Sequence, residues 1–174
     1  MIEEKIRPTG RESRFEQEEI IVSKTDLKGR ITYANDVFLR VAGMTEAETI
    51  GAPHCIIRHP DMPRCVFKLL WDRIQAGHEI FAYVINMAKN GDHYWVLAHV
   101  TPSRDGNGTV VGYHSNRRKP DPAQVAKIAP LYTALLTKEA SVPNAKDGMN
   151  KGTALLHKTL NDAGVSYDEF VFAV

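Results

Sequence analysis

Between Ile80 and Arg118 the chain carries three runs, IFAYVINMAK, HYWVLAHVTP and TVVGYHSNRR, rich in β-branched and aromatic residues and separated by the turn sequences NGD and RDGNG. Strands joined by connections this short pair with their sequence neighbours, so the segment is an antiparallel meander. Upstream, Ile20–Ser23 and Arg30–Ala34 flank a polar turn with Asp26 and Gly29, which predicts a hairpin. Between hairpin and meander the pattern turns helical. Asn35 stands at the N-cap of a short apolar helix ended by Gly43, and Thr45 with Glu48 three residues on forms a capping box for another. Phe67, Leu70, Trp71 and Ile74 recur at helical spacing and predict a longer helix from Pro63 to Gln75, stopped by Gly77. Helices set between two groups of strands define an α+β class: a five-stranded antiparallel sheet flanked by short helices.

The flanks read differently. Residues 1–19 are charged, carry Pro8 and Gly10, and predict an N-terminal arm or cap that turns helical from about Ser13 and stays outside the core. Residues 20–120 hold the folded domain, 121–140 a helical extension interrupted by Pro130, and 141–174 a linker, a short C-terminal helix and an apolar tail. The net charge of +1, with both signs interspersed, offers no basic face for nucleic acid. No run reaches the roughly 18–20 apolar residues of a membrane span, and the N-terminus lacks an apolar signal core, so a cytoplasmic protein without a membrane span is expected. Cys55 and Cys65 lie too far apart for a usual metal pair; Cys55 reads as a small buried hydrophobe. With no glycine-rich phosphate loop, no nucleophile elbow and no Cys/His cluster, catalysis is not expected.

One stretch, CIIRHPDMPRCVFKLLW (Cys55–Trp71), mixes a cation, an imidazole, a carboxylate and two prolines ahead of an apolar helix, a mixture core packing does not require. TDLKGRITYANDVFLRVAGMTEAETIG and KNGDHYW resemble the PAS fold in general. RHPDMP followed by Trp71, together with APLYTALL, resembles the FAD-binding PAS domains of aerotaxis receptors, over residues 20–138. The sequence departs from those receptors where they commonly carry a Trp and a Gly entering the third strand; here stand Ile80 and Ala82. It also shows neither their membrane anchor nor their signalling domain, so the resemblance implies a separate signalling protein as partner, or another copy in a homodimer.

The resemblance implies non-covalently bound FAD and a soluble redox or oxygen sensor for signal transduction and chemotaxis. It implies cofactor contacts from Arg58, His59, Asp61, Trp71, Asn35 and Asn86, each with a plainer alternative. Arg58 supplies a forked donor to pyrophosphate or carbonyl, or pairs with Asp61 on the surface. His59 contacts the cofactor or orients its loop, and Asp61 positions the loop or caps the long helix. Trp71 stacks on a ring or fills the core. Asn35 reaches the pyrimidine edge or only caps its helix. Asn86 lies within the apolar run YVINMAK; it faces water, or is a buried amide that a cofactor edge satisfies. Two other readings stand beside this one: a haem-binding gas sensor using one of His93, His99 and His114, and a cofactor-free interaction or dimerisation module. The light-sensing cysteine signature of some PAS domains is absent around Cys55.

Overall fold

The computed structural model describes residues 6–174. Five antiparallel strands, β1 (Ile21–Thr25), β2 (Ile31–Ala34), β3 (Ile80–Met87), β4 (His93–Arg104) and β5 (Val110–Arg118), make one sheet in the order β2-β1-β5-β4-β3. The meander and the hairpin both form as the turn chemistry requires. They join through β1 and β5, which places Ser23 opposite Ser115. The chain between β2 and β3 must therefore travel across the sheet. It does so as α1 (Asp36–Ala42), α2 (Glu46–Thr49), a 3₁₀ turn (His54–Ile57) and α3 (Arg64–Gln75).

Local chemistry accounts for most of these boundaries. The Asn35 side chain accepts from the Phe38 amide at 3.0 Å and starts α1, while Gly43, at φ +65°, closes it. Thr45 and Glu48 form the reciprocal capping box of α2. The start of α3 is different. Pro63 occupies its N-cap position without a side-chain cap. The Glu139 carboxylate, from the far end of the chain, accepts from the amides of Arg64 at 3.0 Å and Cys65 at 2.8 Å. Asp61, expected to cap this helix, does not.

Two expectations about the flanks fail. The described part of the arm is extended, not helical from Ser13, and it reaches the core; the rest of it, residues 1–5, lies outside the described residues. The start of β4 at His93 runs beyond the end of β5, whose Arg118 pairs with Leu97, leaving backbone groups open on that side. The arm fills them: the Ser13 amide donates to the His93 carbonyl at 2.7 Å, and the His93 amide to Arg11 at 2.8 Å. Phe15, 2% exposed, then packs edge-on to Tyr94.

At the other end, the expected linker is itself helical. α4 (Pro122–Ala140) continues through Pro130, α5 (Ala145–Ala163) is as long, and α6 (Tyr167–Ala173) replaces the tail. Asn144, read as linker, is an N-cap that accepts from the Lys146 and Asp147 amides. Ser166 and Glu169 make a further capping box. Burial of Ile128, Tyr132 and Leu135 on α4, and of Leu156 on α5, supplies the packing that outweighs the proline penalty.

Candidate functional site

A cavity of about 500 Å³ lies between α3, the 3₁₀ turn and the sheet. That volume is within the usual range of small-molecule sites. Ile57, Leu70, Ile74, Val84, Ala98 and Val100 supply its apolar wall. Among the described residues five cations also line it, Lys28, Arg58, Arg64, Lys68 and Arg117, and no carboxylate does. One sign of charge around a low-dielectric wall concentrates potential for an anionic ligand.

Three of the expected site residues meet at this cavity. Arg58 follows the 3₁₀ turn, and its backbone bridges to Asn86 on β3. Its guanidinium lies 4.9 Å from the centre of the Phe67 ring and donates to the Met62 carbonyl at 3.3 Å. Burial, with neighbouring Arg64, lowers its pKa. Trp71 meets Tyr113 edge-on at 5.6 Å and packs against the β1–β2 turn, where a Cβ on Gly29 would stand 2.9 Å from the indole. Asn86 is 2% exposed, and its side-chain nitrogen has no hydrogen-bond partner.

The other three lie outside the cavity wall and are committed elsewhere. Asn35 accepts from the amides of Phe38 and Val22, both at 3.0 Å, and donates to the Ile20 carbonyl at 2.8 Å, which ties α1 to β1. His59 is buried and its Nδ1 accepts from the Asp61 amide at 3.0 Å, so the ring fixes the loop; burial, as the leading cause, lowers its pKa. Asp61 is exposed. Cys55 is also exposed and lines the cavity, against the expectation of a buried hydrophobe; Cys65 is the buried thiol, pushed up to about 12 by burial and by Glu139.

A cluster that the sequence analysis did not single out stands in the same wall. Arg117, 3% exposed, donates through Nη2 to Ser23 Oγ at 2.8 Å and to His54 Nε2 at 2.6 Å. A guanidinium can only donate, so His54 accepts at Nε2 and carries its proton on Nδ1. Burial and the adjacent Arg117 lower the His54 pKa to about 3, and burial lowers that of Arg117 to about 10, so at neutral pH the pair is a neutral imidazole and a cation. Among the described residues Arg117 forms no ion pair, and its Nη1 has no partner; neither has Ser115 Oγ. Three of the four buried side-chain atoms without partners among the described residues thus belong to residues of this wall. The two-residue period from Tyr113 through Ser115 to Arg117 was the available signal, since it puts all three on one face of β5. His54 gave none.

A five-stranded antiparallel sheet crossed by short helices over a cavity of this kind defines an α+β domain built around a small-molecule-sized pocket. The PAS fold family matches residues 31–117, half of the chain, and the chain belongs to that family. It is 43% identical over 116 residues to the aerotaxis receptor of Escherichia coli (strain K12), covering 66% of this chain and 22% of the receptor. It is 27% identical over 103 residues to the nitrogen fixation regulatory protein of Klebsiella pneumoniae, covering 59% of this chain and 21% of that protein. A light-oxygen-voltage domain studied with a flavin analogue shares the fold, with a TM-score of 0.57 at 20% identity, over 68% of this chain and 88% of that one. The chain therefore spans less than a quarter of the length of these two curated relatives. It is a PAS-type sensor domain related to the aerotaxis receptor. Among the described residues no helix is long and apolar enough to cross a membrane.

Proposed function

We propose that this domain binds FAD non-covalently and passes the cofactor's redox state to a signalling partner, acting as a sensor and not as an enzyme. The observation that carries the reading is the cavity wall: apolar and, among the described residues, ringed by five cations without a carboxylate and holding buried polar atoms with no partner. An empty cavity would leave each such atom unsatisfied at a cost of about 1–3 kcal/mol. Arg58, Arg64, Lys28 and Lys68 offer charge for a diphosphate, and Trp71 an aromatic surface for a ring. Asn86 offers an amide that can present either its oxygen or its NH2 to a ring edge. A bound isoalloxazine supplies redox chemistry that exchanges a hydrogen-bond acceptor for a donor.

The protein's part is to convert that exchange into movement. Turning the Asn86 amide disturbs the strand whose backbone bridges to Arg58, and Arg58 leads into α3. Glu139 holds the start of α3, so the α4–α5 hairpin is the adjoining route to a separate signalling protein or to a second copy in a homodimer. Only the difference in free energy between the two ligand states can shift such an equilibrium, typically about 1–3 kcal/mol. The haem alternative has less support, because His93 and His99 lie outside the cavity wall and His114, which lines it, engages Asn116 Oδ1 through Nε2 at 3.0 Å.

The test is an absorption spectrum of freshly purified protein before and after dithionite, followed by chromatography of the heat-released cofactor. A flavin spectrum that bleaches, with FAD as the released species, is expected. A colourless protein or a haem spectrum overturns the reading. Arg58→Ala and Trp71→Ala are expected to lower flavin content while circular dichroism keeps the folded signature.

A further inference from the structure

We propose that Arg117 sets the charge of this cavity: presented by Ser23 and His54, its guanidinium is the fixed cation that favours the more electron-rich state of the ligand and so raises its midpoint potential. The inference rests on the flavin reading above. Burial separates Arg117 from the other cations of the wall. It is 3% exposed, whereas Lys28 and Arg64 are exposed to solvent, Arg58 is half-buried and Lys68 pairs with Asp72. Among the described residues it has no carboxylate partner. Its neighbours leave its charge intact, because Ser23 and a neutral His54 accept hydrogen bonds without bringing a negative charge.

A buried cation without a counter-ion is costly, and protein interiors seldom keep one unless something answers it. The guanidinium also spends only part of its donor set, since Nη1 is unpartnered while Nη2 holds both Ser23 and His54. Uptake of two electrons and one proton from an external reductant leaves one added negative charge in the cavity. A fixed cation in a low-dielectric wall stabilises that charge more strongly than a solvated one would. His54 acts as a positioning residue: it fixes one edge of the guanidinium and leaves the other for the ligand.

The experiment compares midpoint potentials by equilibrium dye reduction of flavin-loaded wild type, Arg117→Gln and Arg117→Lys. Gln keeps a donor for Ser23 and His54 but no charge, and its potential is expected to fall below that of wild type. Lys keeps the charge and is expected to stay nearer to wild type. The Gln variant is expected to bind flavin about tenfold to a hundredfold more weakly than wild type, the range of a lost hydrogen bond to a charged donor. If the Gln variant does not fold, Ser23→Asp sets a carboxylate beside Arg117 and neutralises it in place; the potential must again fall. A residue that only supports the fold would lower the melting temperature and leave the potential alone. An unchanged potential in Arg117→Gln or in Ser23→Asp therefore overturns the proposal, with FAD binding left standing. Wild type that binds no flavin overturns both.

Discussion

Two polar centres flank α3 and treat charge in opposite ways. At its N-terminus, Glu139 meets two backbone amides, and the helices close tightly around it: a Cβ on Gly152 would stand 2.8 Å from Glu139 Cγ and 3.1 Å from Cys65 Sγ. At the cavity, Arg117 keeps an unpartnered nitrogen, with Asn86 and Ser115 similarly incomplete nearby. The first centre is complete and serves the fold. The second costs stability and is kept open, the pattern expected where a ligand completes the site.

The sharpest challenge to that contrast is Gly148→Val. A side chain there runs into the Glu139 backbone where α4 and α5 cross, so the hairpin must separate. A loss of about 3 kcal/mol is expected by overpacking, read as a fall in the denaturation midpoint. A variant as stable as wild type would show that the junction is not closely packed.

Acid should strike the open centre next. An unfolded imidazole takes its proton below about 6.5, whereas half-buried His54, desolvated in the cavity wall and beside Arg117, resists until about 3. Between those values the unfolded chain binds more protons, so stability rises with pH there and is lost as pH falls. His59, also lowered by burial, acts in the same direction. Urea midpoints at pH 7, 6 and 5 should decline, and His54→Gln should flatten the decline; an equal slope in the variant would remove His54 from the account.

Asn86→Leu separates the two centres from the ligand side. Removing an unsatisfied amide should raise the stability of the flavin-free protein by about 1 kcal/mol while weakening flavin binding. A variant that loses stability without flavin would mean that Asn86 belongs to the fold. The smallest effect is expected for Glu139→Gln, which keeps one of the two acceptor oxygens and loses the other together with the charge, leaving the exposed Arg64 amide to water. About 0.5 kcal/mol is anticipated, against about 1 kcal/mol or more for Glu139→Ala.

How much of this was legible varies with the range of the interaction. Capping at Asn35 and Thr45, the turns at Gly43 and Gly77, and the three long strands rest on neighbours within a few residues, and the sequence displays those neighbours side by side. The arm was misread because its partners are at Gly91 and His93, and Phe15 carries little weight within a charged run. Asn144 was read only as linker, and its role as a helix cap emerges with α5. Of the site, Arg58, Trp71 and Asn86 were drawn to one cavity, while Asn35, His59 and Asp61 turned out to hold backbone or face solvent.

The sequence alone determined the α+β class, the meander and the hairpin, because periodicity and turn chemistry are written in adjacent residues, and its motif resemblance pointed to the family to which the chain belongs. Tertiary structure alone decided that Glu139 starts a helix 75 positions earlier in the chain, and that Arg117 shares one cavity wall with Ser23 and His54. Strand order and helix crossing made those meetings. A hydrogen bond depends on distance in space, and separation along the chain carries no record of it.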